Sequence, residues 1–528
     1  MASNPQEIIQ DVHAQFEHLI DFVTGKKAQV ATADQIERGL FKLLVILGAS
    51  LLQLFFVMRS KTCSRETMRS DDHKILRYHR DTVRHYYSIF GKITFERPYF
   101  YNQDVGKCIP LDEALSLGTD GYSDLLRELS GYVDVDSVYE KTADIFKRLL
   151  GLSLSTRDLQ QNMAEDSTDV EAYYDQKSPP EPVLEATILV AQADGKGVPM
   201  ILEEDETKAK YPTGTMSEPV RLGKGQKRGN KKEAIVTSAY TIAPAVRTPE
   251  EVVASYFDLS KAEFAKETQF PNGHSRPKPQ NKSVWATLDG KDTALSRLSR
   301  LITLQNGAHI QEKVALCDGC EALQLRIAIH LPGFTILLDF IHASEYLWKV
   351  ANVLLGETNP LRIEWMAEKT LLMLSGKTDQ LVADFLRQAQ LDETSAAQRN
   401  QLKITANYFE RNLPYMDYLT YLAKGWPIAS GVIEGACRHF VKDRCELSGM
   451  RWTQTGAESL LRLRAIAENG DWDAYHIYRK AQRHIRLYGK PWSEPKNLAF
   501  QNIGLPKTDL ELVAICDQQT YASLPLAT

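Results

Sequence analysis

Four short stretches, ATILVAQA, AIVTSAYTIAP, KVALC and FTILLDF, are apolar and rich in β-branched residues, and three of them run into an acid: Asp194, Asp318 and Asp339. Such runs read as strands. Helical sequence follows. CEALQLRIAIH lies between the last two runs, residues 343 to about 422 read as helix throughout, and a loop then leads into a helix carrying Glu434. Strands alternating with helices, then a helical block, then one more helix describe an α/β core interrupted by an all-helical insertion.

The rest of the chain divides around that core. Residues 1–87 read as helical, with Ile8, Ile9, Val12 and Phe16 at helical spacing. Residues 88–180 hold a short pair of strands in IFGKITFERPYFY and then three helices, Tyr122–Tyr132, Val138–Leu150 and Ser155–Gln161, of which the last two flank Gly151. Helix, glycine turn, helix fits a helix-turn-helix and fits a plain helical bundle equally well. The core occupies 181–342, the insertion 343–422 and the closing part of the core 423–475; a basic helix and tail fill 476–528. Together these make an α/β core with an all-helical insertion, preceded by a mainly helical N-terminal region.

Charge and cysteine usage narrow the class. With 528 residues and a formal net charge of -5, the chain is no basic nucleic-acid coat, so any DNA contact comes from local patches. Seven cysteines without framework spacing indicate reduced thiols in a cytosol. Cys317 and Cys320 form a CxxC with no second pair, whereas structural zinc needs four ligands. The run from Leu43 to Met58 is apolar but shorter than the about 20 residues a membrane span needs, and it reads as a buried helix. No targeting pattern opens the chain, and the expectation is a cytoplasmic protein without membrane contact.

Three acids suit metal-assisted chemistry. Asp194 and Asp318 end strands, and Glu434 sits early in a helix. Hard carboxylate oxygens hold magnesium or manganese, and two such ions clamp the attacking and leaving oxygens of a phosphoryl transfer. Each acid also has a plainer use. Asp194-Gly195 fits a hairpin turn, Asp318 fits a helix cap, and Glu434 with Arg438 fits a surface ion pair. Asp339 and His342 fit a supporting pair that orients a ligand.

Two basic segments fit phosphate contact. Residues 221–232 carry Arg221, Lys224, Lys227, Arg228, Lys231 and Lys232 without an acid, and YHIYRKAQRHIRLYGK carries Arg479 and Arg483 among tyrosines. Arg451 and Trp452 fit either a DNA contact near the cut or packing against the Glu434 helix.

Several blocks resemble the ISKra family of bacterial insertion-sequence transposases, whose catalytic domain is similar to the Mutator-like group. They are AQADGKGVPM, KGQKRGNKKEAIVTSAYTIAPAVRTPEEV, ALCDGCEAL, LLDFIHASEYLW, GWPIASGVIEGACRHFVKDRCELSGMRW and LRLRAIAENGDWDAY, within residues 88–480. The resemblance implies a ribonuclease-H-like catalytic domain with an Asp-Asp-Glu triad and a helical insertion. Its first Asp maps to Asp194, its second to Asp318 and its Glu to Glu434. The signature ending in His maps to Asp339 and His342. One departure is plain: the CxxC that often precedes PLDEALSLG in the family is represented here by Cys108 alone.

The expected function is therefore DNA transposition: metal-dependent strand cleavage and strand transfer using two magnesium or manganese ions. The expected partners are terminal inverted repeats, target DNA and further copies of the chain assembled on that DNA, at the nucleoid. Two alternatives stay open: a metal-dependent nuclease of the same fold that cuts without joining, and a DNA-binding regulator derived from a transposase.

Overall fold

The computed structural model describes residues 4–69, 74–104, 106–201, 231–259 and 277–491. Asn4 caps helix α1 (Pro5–Thr24), and a capping box formed by Thr32 and Gln35 opens α2 (Ala33–Thr62). These antiparallel helices meet where Gly39 lies under the Phe22 ring. The apolar run 43–58 is helical as expected, but it is not buried. Only Phe56, Val57 and Ser60 of α2 are enclosed, and α2 is, among the described residues, a helix long and apolar enough to cross a membrane.

The first 87 residues are not all helical. After strand β1 (Met68–Arg69), the cationic stretch becomes β2 (Ile75–Ser88), which pairs antiparallel with β3 (Gly91–Asn102) and so with β4 (Gly106–Cys108). IFGKITFERPYFY is one strand preceded by its turn, because Ser88 pairs with Gly91 and leaves Ile89 and Phe90 as a two-residue loop. Leu76, Ile93, Phe95 and Phe100 are buried in this sheet. Cross-strand pairing of aromatic and β-branched side chains outweighs the helical reading of the stretch from Ile75 to residue 87.

A short helix, α3 (Pro110–Ala114), leads to α4 (Asp124–Asp134), α5 (Tyr139–Leu150) and α6 (Thr156–Asp166). Gly151 ends α5 with φ at 71°, and Ser155 caps α6. Leu159, Asn162, Met163 and Asp166 bury one face of α6 within the molecule, which makes the three helices part of a bundle. Helix α7 (Val170–Gln176) follows.

The second sheet has five strands in the order β7-β6-β5-β8-β9. They are β5 (Ile188–Pro199), β6 (Lys231–Ile242), β7 (Gln280–Thr287), β8 (Glu312–Cys317) and β9 (Thr335–Leu338). Strands β5, β6 and β7 are antiparallel neighbours; β5, β8 and β9 run parallel. Strand β7 joins the sheet at its outer edge, where Trp285 pairs with Thr237 of β6. Helix α8 (Pro249–Leu259) follows β6, α9 (Lys291–Gln305) precedes β8, and α10 (Glu321–His330) crosses from β8 to β9.

Both faces of this sheet are covered. The helical block arrives as expected: α11 (Phe340–Leu355), α12 (Leu361–Leu374), α13 (Thr378–Gln388), α14 (Ala396–Asn412) and α15 (Tyr418–Ala423). Ile188, Val190, Val314 and Leu316 pack with this block. Leu189, Ala191, Ala315 and Cys317 pack on the opposite face with α9 and α10. This alternation is the period of two that a pleated strand imposes. The chain closes with α16 (Gly431–Gly435), which continues as a π-helical stretch through Lys442, and with α17 (Gln454–Glu468) and α18 (Trp472–Tyr488).

Candidate active site

Strand parity places the first two acids. Asp194 follows Ala193 on β5 and Asp318 follows Cys317 on β8, and Ala193 and Cys317 are register partners on parallel neighbours. Asp194 lies on the even-numbered face of β5, and Asp318 is the first residue past β8, close enough for the Asp194 charge to act on it. Asp194-Gly195 does not turn a hairpin; β5 continues through it to Pro199, with Asp194 opposite Val236. Gly195 is used because a Cβ there would press on the Glu233 carboxylate.

The two acids differ in their bonds. Asp194 Oδ1 accepts from the Gly195 amide at 2.6 Å, and Oδ2 accepts from Cys437 Sγ at 3.3 Å. Asp318 Oδ1 accepts from the Cys320 amide at 3.1 Å, so the acid tightens the turn while Cys320 occupies the cap position of α10. Burial raises the Asp318 carboxyl above its ordinary value, the Cys320 amide opposes that, and the negative charge of Asp194 adds to the rise.

Asp339 is a different kind of acid. It caps α11, is 1% exposed, and its two oxygens accept from the amides of Ile341, His342 and Ser430 and from the His342 ring. The ring bond is 2.6 Å. Burial works against its charge, but His342 and Ser430 more than offset this and hold the carboxyl below its ordinary range. The same hydrogen bond lifts His342 to about 9, so the ring is cationic at neutral pH. Asp339 and His342 form the pair expected from sequence, and Ser430 ties it to the loop leading into the Glu434 helix.

Glu434 lies on α16, exposed, and its side chain makes no hydrogen bond or ion pair among the described residues; the pairing with Arg438 does not form. Cys437, one turn on from Glu434, touches Asp194 and so anchors this helix beside β5. Burial raises the Cys437 thiol, and the charges of Asp194 and Glu434 raise it further. Among the described residues no three His, Cys, Asp or Glu side chains lie together as a group that could hold a metal ion. Asp194, Asp318 and Glu434 carry oxygen donors of the type a hard divalent cation takes, but they are not gathered into such a group here. Cys317, with its thiol raised by burial, and Cys320 stand without the further pair a zinc site needs.

Gly319 lets the insertion pack close to Asp318. A Cβ there would overlap the ring of Tyr408 from α14, which stacks on Tyr346 of α11 at 3.7 Å. Arg411 also donates to the Gly319 carbonyl at 2.6 Å. The insertion therefore reaches the acids directly. Tyr408, Cys437, Ser430 and Glu233 were not marked by the sequence pattern. Cys437 alone had a signal, its i, i+3 spacing from Glu434.

The basic residues fall into three groups. Lys224, Lys227 and Arg228 lie outside the described residues. Lys231 pairs with Glu446, and Lys232 donates to Gln454 at 2.7 Å, both tying the start of β6 to the closing segment. Arg451 is exposed, whereas Trp452 is buried, donates from its ring to the Cys445 carbonyl at 3.0 Å and bridges Met200 at the end of β5. Packing, not base or phosphate contact, is the place of Trp452. The same correction applies to α18: Arg479 is buried between Asp166 and Asp124, and Arg483 pairs with Asp124, because the acids of α4 and α6 face this helix. Neither guanidinium is presented to solvent as a phosphate clamp.

Comparison with known proteins adds no relative: no family model matches the chain, and no curated protein matches it.

Proposed function

We propose that this chain is an insertion-sequence transposase similar to the ISKra family, acting through a ribonuclease-H-like core whose acids are Asp194, Asp318 and Glu434. The observation that carries the reading is that Asp194 and Asp318 directly follow the paired residues Ala193 and Cys317 of parallel neighbours, with the Glu434 helix held to Asp194 through Cys437. The five-stranded mixed sheet with a helical block inserted before the Glu434 helix supports the same reading.

The reaction is hydrolysis at a transposon end, which frees a 3′-hydroxyl, followed by attack of that hydroxyl on a target phosphodiester. Asp194, Asp318 and Glu434 would hold magnesium or manganese, which would supply charge neutralisation and alignment of the attacking and leaving oxygens. Side chains then have little proton transfer to perform, since phosphoryl transfer depends mainly on positioning and charge. Asp339 fixes His342, whose positive ring lies near the acids, and Ser430 fixes the approach of the Glu434 helix. The basic segment 221–232 and Arg451 are the remaining candidates for holding the DNA backbone, with further copies of the chain as partners on that DNA.

The test uses the DNA that flanks the gene. Purified protein, magnesium and duplexes carrying the flanking inverted repeats are expected to yield nicked ends with 3′-hydroxyls and joined products. Cutting without joining assigns the nuclease alternative. No cutting with either magnesium or manganese contradicts the proposal.

A further inference from the structure

We infer that the outer face of α2 is a self-association surface that takes the same helix of a second copy of this chain. Phe41, Leu44, Leu51, Phe55 and Met58 are each 46 to 48% exposed, an unusual display of large apolar side chains along one helix. With Gly48 they recur at alternating steps of three and four positions, the seam of a heptad repeat. At Gly48 the Phe90 ring lies where a side chain would stand, so the stripe is continuous.

The pattern identifies the occupant. A repeat of 3.5 residues keeps one narrow stripe facing a partner helix, which a lipid surface does not require. The uncharged stretch from Leu43 to Met58 is 16 residues, or about 24 Å of helix, against about 30 Å of hydrocarbon. The helix is also pinned to protein at mid-length. Gln53 donates to the Thr94 carbonyl at 2.7 Å and accepts from the Thr94 amide at 3.2 Å, which docks α2 on β3. Phe16 and Ile20 of α1 are 54 and 45% exposed and extend the apolar surface. Half-exposed side chains of this size offer roughly 100 Å² each, so the stripe and its neighbours approach the about 800 Å² per partner of a standard interface. A second copy brings an identical stripe and satisfies both at once, as a two-fold interface requires. This surface is separate from the acids and acts without DNA.

Sedimentation velocity on the full-length protein without DNA is expected to show a dimer, and the double variant Leu44→Glu, Leu51→Glu a monomer. Circular dichroism reports whether that variant folds. Should it not fold, a photo-reactive amino acid at Leu51 is expected to cross-link two chains, α2 to α2. A monomeric wild type, a folded double variant that stays dimeric, or cross-links confined to one chain would each overturn the inference. So would a monomer that floats with phosphatidylcholine–phosphatidylglycerol vesicles.

Discussion

Neighbouring acids on one sheet edge are distinguished by which hydrogen bonds they have left to make. Asp339 has both oxygens committed to four donors, while one Asp318 oxygen takes the Cys320 amide and the other makes no hydrogen bond among the described residues. An acid so fully bonded is a poor ligand and a good positioning group. Asp339→Asn replaces an acceptor oxygen by a donor that cannot take an amide hydrogen bond. It is expected to slow DNA cleavage by about 10- to 100-fold, the usual cost of disturbing the group behind a ligand, and to weaken folding as a cap is lost. Single-turnover cleavage with a thermal melt checks both, and an Asp339→Asn protein that is wholly inactive yet fully stable would assign it as a ligand instead.

At the scale of elements, the strands and the insertion were legible because period-two and helical patterns persist over whole segments. The sequence read both acids as strand ends, which holds for Asp318 but not for Asp194, because β5 runs on to Pro199; their proximity came from the register of β5 and β8. What was not legible depends on distant partners. The α18 arginines read as a cationic surface because their acids, Asp124 and Asp166, lie some 300 residues earlier in the chain. The exposure of α2 was missed because an apolar run records hydrophobicity and not what covers it. Arg479→Ala leaves Asp166 with one of its two buried guanidinium partners, so it is expected to cost about 3–5 kcal/mol of stability. It should leave the salt dependence of DNA binding by the folded protein unchanged. Denaturant melts and binding isotherms at several salt concentrations measure these, and a flattened salt slope with unchanged stability would restore Arg479 as a phosphate contact.

Helix α18 is tied to α4 and α6 through Arg479 and Arg483, and that junction titrates. His476 is 1% exposed, with both ring nitrogens unpartnered, and burial lowers it to about 3, helped by the Arg479 charge. The unfolded chain takes up this proton near about pH 6.5, while the folded one resists to about 3. Stability is therefore lost as pH falls across that window and is unaffected above it. His476→Leu is expected to gain stability relative to wild type from pH 7 down to pH 4, and parallel curves would contradict the assignment. The central claim, that Asp194, Asp318 and Glu434 act together as metal ligands, is tested most directly by titrating manganese into cleavage reactions with Asp194→Asn, Asp318→Asn and Glu434→Gln. DNA binding is measured alongside. All three are predicted to bind DNA like wild type and to be nearly inactive at every manganese concentration; any one that cuts transposon ends at close to the wild-type rate would contradict the account.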